Sequence, residues 1–66
     1  MHKMEKFVIP TSSGTMKIYI YGFANGGAGK VYATLNDVVS FSKGYNKKRT
    51  IIRAVERLHQ QYTSQR

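Results

Sequence analysis

The densest chemistry in this chain is a run of cations, Lys43, Lys47, Lys48 and Arg49, continued at helical spacing by Arg53 and Arg57. Such groups hold anions, and arginine in particular matches the forked geometry of a phosphate. Their placement sharpens the point. Asn46 is a good helix N-cap preceded by the permissive Gly44, so Lys47, Lys48 and Arg49 fill a first helical turn. There the exposed N–H groups and the helix dipole favour negative charge, so each cation costs roughly a few tenths of a kcal/mol, which an arriving phosphate would offset. The array Lys43, Lys47, Lys48, Arg49, Arg53 and Arg57 is the candidate nucleic-acid contact, DNA or RNA; the plainer alternative is a solvated basic turn.

A second constellation lies in Met16–Phe23, MKIYIYGF. Alternation puts Met16, Ile18 and Ile20 on one side of a strand and Lys17, Tyr19, Tyr21 and Phe23 on the other. Aromatic side chains beside a lysine on a sheet face can stack nucleobases, and they can equally form a dimer contact or meet an acidic protein partner. Both uses stay open at this level.

Reactive groups for catalysis are scarce. The carboxylates are Glu5, Asp37 and Glu56, too far apart in sequence to read as a paired acid and base. Glu56 and His59 have the Glu-x-x-His spacing of di-iron bundles, but the additional glutamates of such sites are missing, and His59 borders an apolar stripe. His2 falls in a loose N-terminal lead, and the serines have no evident base. The glycine-rich stretch 24–30, ANGGAGK, has Ala24 where a P-loop needs glycine and Val31 where it needs Ser or Thr, so it reads as a mobile hairpin loop. The expectation is a non-enzymatic binding module with no cofactor and no metal.

Composition agrees with that reading. Eleven Lys and Arg against three Asp and Glu give a formal charge of +8 on 66 residues, a field that attracts polyanions. A chain this short buries only about 60% of its unfolded surface, and with no cysteine to staple it, pairing into a homodimer is the expected remedy. No stretch has the length of a signal-peptide core or a membrane span, so a cytoplasmic protein without membrane association is expected.

The elements that must position these groups follow from pattern. After a loose lead over 1–5, Lys6–Ile9 is a short strand ended or edged by Pro10, and TSSGT over 11–15 is a turn. The strand Met16–Phe23 is followed by the glycine loop and a third strand, Val31–Leu35. A two-residue Asn36-Asp37 turn then leads to a fourth strand, Val38–Phe41. A competing reading caps a short helix at Asn36 over 37–43, which would make a helix-turn-helix; the run Val38, Val39, Ser40, Phe41 favours a strand. The final segment is one amphipathic helix with Ile51, Val55, Leu58 and Tyr62 as its apolar stripe, Ile52 and His59 beside it, and a frayed tail over 63–66. The expected fold is α+β: an antiparallel sheet of three to four strands with one C-terminal helix across one face.

The ordered series Phe7-Val8-Ile9, Gly14, Ala24-Asn25-Gly26 and Ser42-Lys43-Gly44-Tyr45, leading into a helix with Ile52 and Val55, resembles the YegP-like family of small uncharacterised proteins. The resemblance implies a strand-rich unit closed by a helix, often present as two packed tandem copies, so that a single copy would pair with a second chain. Relative to that family the segment before Ser42 is longer and Lys43 replaces an acidic residue, which marks where a specialised partner would be met.

Overall fold

The computed structural model describes residues 4–64. Four antiparallel strands, β1 (Met4–Thr11), β2 (Gly14–Gly22), β3 (Gly29–Leu35) and β4 (Val38–Gly44), form one sheet in the order β1-β2-β3-β4. A 3-10 turn at Ala24–Gly26 interrupts the β2–β3 connection, and one helix, α1 (Lys47–Ser64), follows β4. The α+β expectation holds with all four strands. Residues 38–44 are strand, which removes the helix-turn-helix reading.

Local chemistry accounts for the turns. Thr11 pairs with Gly14 across a two-residue hairpin in which Gly14 takes φ 137°, a conformation that side chains resist. Asn36 opens the β3–β4 turn at φ 55°, a left-handed value that asparagine tolerates. Its side-chain amide donates to the Ser13 carbonyl at 3.2 Å and to the Tyr62 hydroxyl at 3.3 Å, tying both hairpin turns to the far end of the helix. Pro10 sits inside β1 opposite Thr15, which is permissible because β1 is an edge strand.

β1 begins at Met4 rather than after a loose lead through residue 5: Met4 pairs with Tyr21, and the Glu5 carboxylate accepts an ion-paired hydrogen bond from Lys47. No local pattern could announce that contact, because its partners are 42 residues apart. The rest of the expected lead, including His2, lies outside the described residues; the tail expected to fray over 63–66 is helical through Ser64, and its last two residues lie outside the described residues.

The core is Ile18, Ile20, Val31, Ala33, Leu35 and Val38 from the sheet with Ala54 and Leu58 from α1. The helix docks on β4 and β3, leaving β1 exposed along its whole length. Its buried line is Thr50, Ala54 and Leu58, while Ile51 and Val55 are half-buried and Ile52 is exposed. The stripe is thus turned toward smaller residues than the apolar spacing predicts. The cause is the facing strand: Ser40 and Ser42 of β4 are buried, and the Ser40 hydroxyl donates to the Ala54 carbonyl at 2.6 Å, which only small side chains at the crossing permit. Among the described residues no buried side-chain nitrogen or oxygen lacks a hydrogen-bond partner.

Candidate functional site

Residues directly opposite each other in an antiparallel sheet share a face, so the register fixes what each surface displays. The face turned away from α1 carries a row running across all four strands, Lys6, Tyr19, Tyr32 and Phe41. Beside it run Met4, Tyr21, Lys30 and Lys43 on one flank and Val8, Lys17, Thr34 and Val39 on the other. Three of the rings, Tyr21, Tyr32 and Phe41, are contiguous. Tyr21 meets Tyr32 edge-on with centroids 5.8 Å apart, Tyr32 and Phe41 lie 5.0 Å apart at 43°, and the Lys6 ammonium stands 5.7 Å from the Tyr19 ring centre. Offset and edge contacts of this kind hold the rings in fixed orientations while leaving Tyr21 and Phe41 more than a third exposed.

Toward the β2–β3 loop this face deepens into an open hollow of about 630 Å³ between Tyr19, Tyr21, Lys30 and Tyr32. A second hollow of about 440 Å³ adjoins it across Ala28, Gly29 and Lys30 and continues past Lys43 to Tyr45, which is 79% exposed. Together they make a path lined by the rings of Tyr19, Tyr21, Tyr32 and Tyr45 and by the side chains of Lys30 and Lys43. The three carboxylates of the chain all lie elsewhere: Glu5 opposite the core residue Ile20, Asp37 in the β3–β4 turn, and Glu56 on α1.

Phe23 does not belong to this face. Gly22 and Phe23 both adopt positive φ, 87° and 66°, so alternation ends at Gly22 and the Phe23 ring turns to the core side. It lies over Gly29, where a Cβ would fall 2.2 Å from the ring. The glycine stretch after it forms a turn closed by hydrogen bonds from Phe23 N–H to the Ala28 carbonyl and from Gly27 N–H to the Ala24 carbonyl, at 3.1 and 2.9 Å.

The basic array foreseen from the sequence is divided among three surroundings. Lys43 projects from the open sheet face, on the side opposite α1. Lys48, Arg49 and Arg53 are exposed on α1. Lys47 is ion-paired to Glu5, and Arg57 donates to the Phe41 carbonyl at 2.8 Å, where it satisfies backbone of the edge strand β4. Asn46 is the N-cap, its side-chain oxygen accepting the Arg49 N–H at 3.0 Å. The anion that offsets the basic first turn is therefore, in part, Glu5 of the chain itself.

Sequence pattern alone does not single out Lys6, Lys30, Tyr32 and Phe41 as site residues. The signal for them exists: the alternation that sorts β2 also sorts Val31, Tyr32, Ala33 and Ser40, Phe41, Ser42 once the hairpin registers are known. Among the described residues no group of three or more His, Cys, Asp or Glu could hold a metal ion, and no helix is long and apolar enough to cross a membrane.

By fold and surface, the chain is a four-stranded antiparallel meander with one helix on one face and an aromatic, lysine-rich face left open. Comparison with protein families, with curated proteins and with solved structures gives no match.

Proposed function

We propose that this protein is a small non-enzymatic module that binds nucleic acid, acting in the cytoplasm. The observation that carries the reading is the distribution of charge. Lys6, Lys17, Lys30 and Lys43 are exposed on the open sheet face and Lys48, Arg49 and Arg53 on the helix, while Glu5, the acid beside the basic first turn, is engaged by Lys47. A formal charge of +8 spread over both surfaces draws in a polyanion and orients it by contacts to phosphate.

Fluorescence anisotropy with labelled oligonucleotides across a salt series tests it. If roughly four cations meet phosphates, log affinity against log salt falls with a slope of about −3.6 on duplex DNA or about −2.8 on a single strand. No binding at low salt to either form would end the reading.

A second reading, a homodimeric protein-interaction module, is favoured by β1. All eight of its residues are exposed, including Phe7, Val8 and Ile9, and it is an edge strand with no covering element. Antiparallel pairing of β1 with its copy would satisfy its open backbone edge, extend the sheet and set Phe7 and Ile9 in cross-strand contact with the copy's side chains on the helix side. Light scattering at micromolar concentration is expected to give twice 7.5 kDa, and Phe7→Lys is expected to return the monomer. A wild-type monomer would remove this reading.

A further inference from the structure

We infer that the open sheet face is a platform for single-stranded nucleic acid, on which bases stack against Tyr19, Tyr21, Tyr32 and Phe41 while Lys6, Lys17, Lys30 and Lys43 meet the backbone. This rests on the nucleic-acid reading above and specifies which surface and which form of nucleic acid are involved.

Three features of the face select this occupant. First, its rings are neighbours across strands, Tyr21 against Tyr32 and Tyr32 against Phe41, so their exposed surfaces form one continuous patch rather than scattered side chains. Stacking needs a base whose face is exposed, which an unpaired strand offers and a duplex does not. Second, the lysines flank the rings, with Lys30 and Lys43 side by side in register beyond Tyr21, and the hollows on either side of Lys30 lead from Tyr19 and Tyr32 to Tyr45. Rings grouped beside a pair of cations suit a strand whose bases and phosphates point to different sides. Third, the charge is of one sign. Among the described residues no Asp or Glu side chain stands on this face, so a second copy laid against it would oppose lysine with lysine, whereas a polyanion neutralises all four.

The sheet also explains how such a site can be rigid at so small a size. The rings stand on β2, β3 and β4, whose opposite sides carry Ile18, Ile20, Val31, Ala33 and the buried serines under α1. The platform is thus ordered before ligand arrives, which limits the entropy lost on binding.

The test uses the full chain and fluorescein-labelled oligo-dT, oligo-U and a mixed-sequence DNA duplex, each of about 16 nucleotides, the upper range for one small binding domain. The single strands are expected to bind more tightly than the duplex. The two single-strand arms separate DNA from RNA. Tyr19→Ala together with Tyr32→Ala is expected to weaken single-strand binding by roughly fivefold to 150-fold for each base that loses its ring. Lys30→Gln together with Lys43→Gln touches exposed side chains only, and is expected to lower both the affinity and the salt slope, so the inference stays testable if the tyrosine variant fails to fold. Arg49→Gln with Arg53→Gln, on the opposite side of the molecule, is expected to weaken single-strand and duplex binding alike through the lost positive charge, leaving the ratio between them unchanged.

Loss of binding in the helix variant with unchanged binding in both face variants would overturn the platform while leaving nucleic-acid binding in place. Absence of binding to all three probes would fail the broader reading instead. Light scattering that showed a dimer converted to monomer by the tyrosine variant would assign the face to a second copy and overturn the inference.

Discussion

Leu58→Ala is expected to unfold most of the population or bring it close to its midpoint at room temperature. Leu58 is 1% exposed and is the largest apolar side chain that α1 buries completely against the sheet. Shortening a buried leucine to alanine costs about 2.7–5.0 kcal/mol, the spread depending on how far the surroundings collapse into the space. Collapse is limited here because the neighbouring buried helix residues, Ala54 and Thr50, are small and the latter is held by its hydroxyl to the Asn46 carbonyl at 2.7 Å. A domain of 66 residues has a total stability on the order of 3–10 kcal/mol, so the loss is comparable with the whole. Urea denaturation followed by circular dichroism should show the midpoint falling by about 2–4 M, or no folded baseline at all. Ile52→Ala is the control. Ile52 is 48% exposed, so its truncation is expected to change stability by no more than about 0.5 kcal/mol. Equal losses at Leu58 and Ile52 would mean that the helix is rotated relative to the orientation described above.

That contrast shows where sequence pattern is a good guide and where it is not. The existence of α1, its N-cap at Asn46 and the strand alternation of Met16, Ile18 and Ile20 against Lys17, Tyr19 and Tyr21 are all local, and each is legible because one periodicity dominates its segment. The centre of the helix face is not local. Hydrophobic spacing gives weight to large side chains, Ile51 and Val55, yet the depth of docking is set by the smallest residues at the closest approach, Ala54 against Ser40. Chain order groups Lys43 with the helix cations; continuation of β4 through Gly44 puts it on the opposite side of the sheet. Phe23 obeyed alternation until two positive φ angles in succession broke it. The pairing of Glu5 with Lys47 and the capture of the Phe41 carbonyl by Arg57 are tertiary events between distant segments, and they remove two of the six cations of the expected array from duty toward a ligand.

The close crossing makes Ala54→Leu the second strongly destabilising change, and a more diagnostic one, because it adds apolar surface to an apolar interface. By hydrophobicity alone the substitution should be neutral or favourable, since leucine is an excellent helix former. At 0% exposure there is no room for it. The helix would have to lift from β3 and β4 or force neighbours off their rotamers, at a cost of about 1–3 kcal/mol. Lifting would also lengthen the 2.6 Å bond from the Ser40 hydroxyl to the Ala54 carbonyl and strand a donor in the core, adding about 1–3 kcal/mol. The expected outcome is a fall in urea midpoint approaching that of Leu58→Ala, with helical content retained below the transition. Ser40→Ala in the same background separates the two contributions: removing the hydroxyl leaves no orphaned donor, so the double variant should recover part of the loss. A double variant no more stable than Ala54→Leu alone would assign the whole cost to overpacking. An Ala54→Leu protein as stable as wild type would refute the close crossing of helix and sheet from which the burial of Ser40, Ser42 and Thr50 follows.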